Sequence, residues 1–330
     1  MQVFNLPTGY LFVDQYSKGR LETLSIGDYG KNHNVKADFL GYSRPLYGVP
    51  NIPCMPMSEK WVITLSTQYG CPMKCKFCVC PQIPFNGNAS VDDLMKQLES
   101  ALRLFPDVKY TERLNIHFAR MGEPIFNPSV FSFTKNLSKS YIQDVLGIRT
   151  EVIHPVLTTS LPKNFNRLKE CILDWCDIKN NIYNGQAGLQ FSINSTNEAQ
   201  REDMFSGMAI SLDEFSAIAK DMPRPLGRKY CLNFAYATGY EVDAQRLKDL
   251  FDPDMFMVKI TPIHNNSVCR ENKIETIDGY TSYIPYQQIE EELKAAGFDV
   301  LVFVPSMDEE DGLVTCGNAV LSGSVPKEKE

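Results

Sequence analysis

The spacing of apolar and polar residues divides the chain into an irregular N-terminal stretch and a long alternating region. YLFVD (10–14) and RLETLSI (20–26) read as short β-like pieces joined through SKG. The stretch DFLGYSRPLYGVPNIPCMP (38–56) is too rich in Pro and Gly for regular structure. From Trp61 the pattern changes: WVITLST predicts a buried strand that runs directly into a cysteine loop. VDDLMKQLESALRLF (91–105) predicts a helix with Ser90 as N-cap. RLNIHFAR (113–120) and VIHPVLTT (152–159) predict strands, separated by a helical stretch over much of 128–145. A helix over 163–176 follows, with Pro162 suited to its first turn. LQFSINS (189–195), YCLNFAYA (230–237) and MFMVKITP (255–262) predict three more strands, with helices near 211–221 and 243–251 between them. YQQIEEELKAAGF (286–298) predicts a late helix ending at Gly297, and VLVFVPS (300–306) a final strand.

Strands that alternate with helices imply parallel pairing through right-handed crossovers. The expected fold is therefore α/β, a partial (β/α)6 TIM-type barrel over 61–298. A hairpin and irregular extension (1–60) would precede it, and a strand with a loop (299–330) would follow. In such barrels the reactive groups sit at the C-terminal ends of the strands. Cys71, Gly122, Glu123, Thr158, Ser192 and His264 all fall at or just after a predicted strand end.

With 330 residues and 43% apolar content the chain can bury a large core. It has no apolar run of 18 residues, so no membrane span is expected. The N-terminus lacks a basic n-region and a long apolar core, so the cytoplasm is the expected compartment and a monomer the expected state. Ten cysteines in this setting read as reduced thiols, metal ligands or catalytic groups. A net charge of −7 argues against a broad nucleic-acid footprint but leaves room for a local basic groove. PKEKE (326–330) reads as a solvated end.

The run GCPMKCKFCVC changes the picture most. Three thiolates spaced C-x3-C-x2-C (Cys71, Cys75, Cys78) can wrap three corners of a [4Fe–4S] cubane. The fourth iron would then chelate the amino and carboxylate groups of S-adenosylmethionine (SAM), whose reductive cleavage yields a 5′-deoxyadenosyl radical. Cys80 adds a fourth thiol, so a zinc site or a ferredoxin-like cluster competes, although no second CxxC or paired histidines follow.

After the cluster loop comes RMGEPIFN (120–127), which resembles the GMGEP signature of the radical-SAM RNA adenine methyltransferases. That family contains the dual rRNA/tRNA adenine-C2 enzyme and a C8-methylating antibiotic-resistance enzyme. The resemblance extends over 10–26, 61–80 and 113–320. It implies that Gly122 lets the backbone approach SAM and that Glu123 accepts hydrogen bonds from its ammonium. LTTSLP (157–162) is similar to a strand ending in SAM-holding hydroxyls, so Thr158 is implied as a contact. FSINSTNE (191–198) is similar to VSLHAPND, which implies Ser192, Ile193 and Asn194 around the ribose. ITPIHNN (260–266) is similar to LIPFNP and puts His264 at the adenine.

Two further positions carry catalytic roles in the resemblance. DGLVTCGNAV (311–320) implies that Cys316 is first methylated by one SAM and then delivers the carbon to an sp2 ring carbon. GRLETLSIG (19–27) is similar to a hairpin whose Glu, here Glu22, is a proton acceptor; on its own a Glu on a hairpin is expected to be solvated. The chain also departs from the family. The cysteine expected seven residues before Cys71, which resolves the protein–substrate adduct by forming a disulfide, is Thr64 here. Cys80 and Cys54 are the thiols that could replace it. About nine residues precede the hairpin where the family has a helical RNA-binding domain, and an insertion of about 25 residues follows it. The expected substrate is thus an RNA (tRNA or rRNA), a nucleotide or another heteroaromatic compound, with a flavodoxin or ferredoxin as electron donor. A radical-SAM enzyme of another class, such as a peptide modifier without a methyl-cysteine, is the alternative.

Overall fold

The computed structural model describes residues 1–28, 56–264, 266–276, 284–304, 313–314 and 317–323; Cys54 and Cys316 lie outside the described residues. Ten strands form one sheet in chain order. β1 (Gln2–Leu6), β2 (Gly9–Tyr16) and β3 (Gly19–Gly27) make an antiparallel meander, and β3 pairs antiparallel with β4 (Lys60–Ser66). Every pairing beyond that is parallel: β5 (Tyr110–Met121), β6 (Arg149–Thr159), β7 (Gly188–Ser192), β8 (Tyr230–Tyr236), β9 (Phe256–Pro262) and β10 (Asp299–Val302). Consecutive parallel neighbours joined through helices are the partial barrel that the alternation predicted.

Alternation along each strand sorts side chains between the helices and the lumen. On β5, Leu114, Ile116 and Phe118 are fully buried in the main core, and Phe118 meets Phe133 and Trp175 edge-on at 5.8 and 5.9 Å. The intervening His117 and Ala119 line the lumen. β2 and β3 bury side chains on both faces of the meander. Thr23 and Ser25 bond to Gln97 and to the Ala101 carbonyl of the helix Val91–Arg103 (2.9 and 2.8 Å). Leu11, Val13, Leu24 and Ile26, on the opposite face, pack against Val314 and Ala319 near the other end of the chain.

Local corrections follow from backbone chemistry. Ser90 is the N-cap expected, in a reciprocal capping box with Asp93. The stretch over 128–145 is two helices, Pro128–Asn136 and Lys139–Leu146, because Leu137 is extended and Ser138 caps a new start. The helix expected from 163 begins at Leu168: Leu161 and Asn164 sit at φ +60° and +62°, and Pro162 bridges to Ala209 instead of starting a helix. The sequence reading missed β1 and the short helices Glu198–Met204 and Ser267–Asn272. Among the described residues no helix is long and apolar enough to cross a membrane.

Candidate functional site

The cysteine loop leaves β4 and is pinned at many points. Thr67 N–H donates to the Met121 carbonyl (2.8 Å), and Tyr69 exchanges backbone bonds with Gly87 and Asn86 (2.9 and 2.7 Å). Gly70 sits at φ +78°, where a Cβ would stand 2.6 Å from the Pro84 carbonyl oxygen, so only glycine fits. The helices that sequence reasoning missed hold the far side of the loop. Lys76 N–H donates to the Met204 carbonyl (2.9 Å), and Ser206 to the Lys74 carbonyl (2.6 Å). Asn266 and Asn272 donate to the carbonyls of Phe77 and Lys76 (3.0 Å each).

Cys71, Cys75 and Cys78 line one cavity. Burial pushes the thiols of Cys71 and Cys75 up, and the nearness of Cys78 adds to this. Cys78 is held down, first by a hydrogen bond with Cys80. Among the described residues no three His, Cys, Asp or Glu side chains converge as they would on a single ion. A cubane asks for something looser, three sulfurs around a shared space, and all three cysteines line this cavity. Cys80 is buried and lines the same cavity, its backbone N–H 3.4 Å from the Cys78 sulfur and its own thiol 3.7 Å from the Arg120 carbonyl.

Gly122 lies at φ +101°, where a Cβ would collide with the Gln68 side chain at 2.6 Å. Gln68 in turn accepts from the Glu123 N–H (2.8 Å). The Glu123 carboxylate is 3% exposed, and burial raises its pKa. It accepts from Ser160 N–H and Oγ–H (2.8 and 2.9 Å) and from Ile125 N–H (3.3 Å). Ser160 is a residue that the sequence reading missed, two positions beyond Thr158, which also lines the cavity.

Ser192 and Asn194 line the cavity, but Ile193 does not. As the residue after the end of β7 its side chain points the other way, fully buried in the main core, and its backbone bonds to Asn233 (2.8 Å) and Arg201 (2.7 Å). Asn194 adopts φ +63° and accepts from Ala235 N–H (3.0 Å). His264 is 2% exposed at the end of β9; burial and then the Arg120 charge push its pKa down to about 3, so its ring is neutral. Asn194 Nδ2, Asn233 Oδ1 and Thr261 Oγ1 are buried with no partner among the described residues, and all three residues line the cavity. Buried polar atoms left this way cost about 1–3 kcal/mol each, so the cavity suits a polar ligand. The signal that could have found Asn233, Thr261, Gln190 and Lys259 is their polar character at lumen-facing strand positions.

Glu22 corrects the expectation of a solvated hairpin side chain: it is 0% exposed. Its carboxylate pairs with Arg120, which the sequence reading did not single out. Cys316 lies outside the described residues, but its neighbour Gly317 lines the cavity; a Cβ there would stand 3.7 Å from the Cys78 sulfur. Thr64 sits in β4, paired with Leu24 of β3 and His117 of β5.

No family model matches the chain. Its curated relatives include the probable dual-specificity RNA methyltransferase RlmN of Pseudothermotoga lettingae, 27% identical over 206 residues, covering 61% of this chain and 54% of that protein. The corresponding protein of Prochlorococcus marinus is 24% identical over 229 residues, covering 68% and 59%. A shorter match, 35% over 74 residues (22% and 20%), is to the dual-specificity RNA methyltransferase RlmN of Buchnera aphidicola. The chain thus spans about half the length, or less, of the curated relatives it matches first. In three dimensions it superposes on the crystal structure of a radical SAM methyltransferase from Sphaerobacter thermophilus, with TM-score 0.61 at 16% identity, covering 94% of this chain and 76% of that one. In fold the chain is a partial barrel of the kind that radical-SAM enzyme has, and in sequence it is a distant relative of the dual-specificity RNA methyltransferases.

Proposed function

We propose that the chain is a radical-SAM methyltransferase in which Cys71, Cys75 and Cys78 hold a [4Fe–4S] cluster and Glu123, Thr158, Ser192, Asn194 and His264 line the SAM site. One observation carries this reading. The three thiols and the buried Glu123 face a single cavity whose other walls carry polar atoms without partners among the described residues. When bound, the cluster supplies the electron that cleaves the SAM sulfonium. The chain's own residues bind and orient. Glu123, buried on the cavity wall, takes the SAM ammonium, with Ser160 fixing the carboxylate. Neutral His264 and Asn194 offer hydrogen bonds without adding charge.

Cys316 is the proposed methyl carrier, delivering a one-carbon unit to an sp2 carbon, adenine C2 or C8 of an RNA (tRNA or rRNA) or nucleotide. A flavodoxin or ferredoxin fits as electron donor. The resemblance also gives Glu22 a proton-accepting role, but both its oxygens are already engaged, and that step is left out of the proposal. Thr64 cannot form a disulfide. Cys80, beside Gly317, is the thiol we place in that role ahead of Cys54.

The test is anaerobic reconstitution with deuterated-methyl SAM, then mass analysis of Cys316 and of the tRNA, rRNA and nucleotide pools. Label on Cys316 and on an RNA or nucleotide adenine is expected. A cluster-replete sample that cleaves SAM yet leaves Cys316 unlabelled would overturn the methyl-carrier reading. The net charge of −7 favours a second reading, a radical-SAM enzyme acting on a peptide or small heteroaromatic compound. Label in such a pool and none in RNA is its signature.

A further inference from the structure

The sequence resemblance makes Glu22 and the GEP segment separate features, and it has glycine where this chain has Arg120. The structure joins them. Arg120 Nε donates to Glu22 Oε1 (2.7 Å), and a second guanidinium nitrogen contacts the same oxygen. Both side chains are buried, at 1% and 0% exposure. Among the described residues, the further side-chain bonds of both groups go to one stretch of backbone. Arg120 Nη1 donates to the Leu313 carbonyl (2.7 Å). Glu22 accepts from the N–H of Ala319 (2.9 Å) through Oε1, and from those of Val320 (2.8 Å) and Leu321 (3.2 Å) through Oε2. Val314 and Ala319 pack beside them against Leu24 and Ile26, and a Cβ at Gly317 would stand 3.7 and 3.8 Å from the sulfurs of Cys78 and Cys80.

We infer that Glu22 and Arg120 are positioning residues, a buried clasp that grips the chain on both flanks of position 316 and fixes those flanks against the cluster loop. This deepens the proposed function, since it rests on Cys316 as methyl carrier. The physical logic is that of an ion pair whose leftover hydrogen-bonding capacity is filled by backbone. A carboxylate sealed from water needs several donors, and three successive N–H groups supply them only when that backbone is held in one conformation. The cation is needed because three amides alone leave a full negative charge in the interior. With glycine at 120 the guanidinium and its bond to Leu313 would both vanish, so the clasp is a property of this chain and not of the signature it resembles.

The experiment is amide hydrogen exchange on the full chain, followed residue by residue over 313–323, together with the rate at which Cys316 is methylated. In the wild type the amides of Ala319, Val320 and Leu321 are expected to exchange slowly. In Glu22→Gln and Arg120→Met they are expected to exchange at least about tenfold faster, since one member of a buried pair is left uncompensated. Arg120→Lys, which keeps the charge, should restore much of the protection. The Cys316 methylation rate at saturating SAM should fall at least about tenfold in the same variants, with the half-saturating SAM concentration unchanged. Unchanged exchange at 319–321 in both variants overturns the clasp. Should the variants fail to fold, fast exchange of those amides in the wild type overturns it equally. Exchange requires no turnover, so the two readings separate: slow, Glu22-dependent exchange with an unmethylated Cys316 would sink the methyl carrier and leave the clasp standing.

Discussion

Glu22 and Glu123 are both carboxylates withdrawn from water, at 0% and 3% exposure, and they are satisfied in opposite ways. Glu22 has its cation: the Arg120 guanidinium is in contact, and backbone amides fill the remaining acceptor sites. Glu123 is held by neutral N–H and O–H groups alone, on the wall of a cavity, and its pKa is raised because burial outweighs those bonds. One carboxylate is closed and serves the fold. The other lines a cavity and, in the proposed function, is the one that takes a positive ligand. The general lesson is that burial by itself does not mark a functional acid; what matters is whether the compensating charge is already inside the protein.

The largest effect should come from breaking the closed pair. Arg120→Met leaves Glu22 buried and uncompensated, and urea or thermal unfolding should show a loss of about 3–5 kcal/mol. Adding Glu22→Gln to Arg120→Met should recover part of that loss, because the uncompensated charge is removed while an amide oxygen still accepts from the backbone of residues 319–321. A double variant as unstable as Arg120→Met alone would refute the pairing as the cause.

Glu123→Gln should behave in the reverse manner. SAM binding, followed by calorimetry or quenching on the reconstituted protein, should weaken by about 1.5–3 kcal/mol, the usual worth of a hydrogen bond to a charged group. Unfolding stability should hold or rise slightly at neutral pH, because a buried carboxylate without a cation is removed. A marked loss of stability would mean that Glu123 is structural after all.

The pH dependence sharpens the same contrast. The folded state holds the Glu123 proton more tightly than the unfolded chain, whose ordinary value is 4.5. That contribution to stability is complete below 4.5 and is lost as pH rises through the raised value. SAM needs the carboxylate, so its affinity should climb across the same window. Both slopes should flatten in Glu123→Gln. The smallest effect belongs to an exposed pair such as Arg167 with Glu170, at 61% and 65% exposure; Glu170→Gln should leave unfolding and SAM binding unchanged.

How much of this was legible in the sequence depended on range. The cysteine loop was, because its three thiols are local and follow a strand whose apolar run is unambiguous. The barrel was, because βα alternation is repeated many times and survives errors in single helices. The breaks at Leu137 and Leu161 were not, because neither residue type announces an extended or left-handed backbone. Ile193 was placed in the site by resemblance, whereas strand alternation turns its side chain into the core. Glu22 was the least legible. Its cation comes from β5 and its amide donors from residues 319–321, almost the whole chain away, and no local pattern records such a meeting. The short helices that pin the cysteine loop escaped for a related reason: their role shows only once the barrel brings them round to Lys74, Lys76 and Phe77.

That separation bears on how the molecule is born. A ribosome delivers Glu22 early and Leu321 nearly three hundred residues later, at about 5–20 residues per second, so the carboxylate waits many seconds for the last of its amide partners. Arg120 arrives in the first part of that interval, and every barrel strand is complete once Val302 has been made. The nascent barrel strands can therefore pair before Ala319, Val320 and Leu321 reach the Glu22 carboxylate.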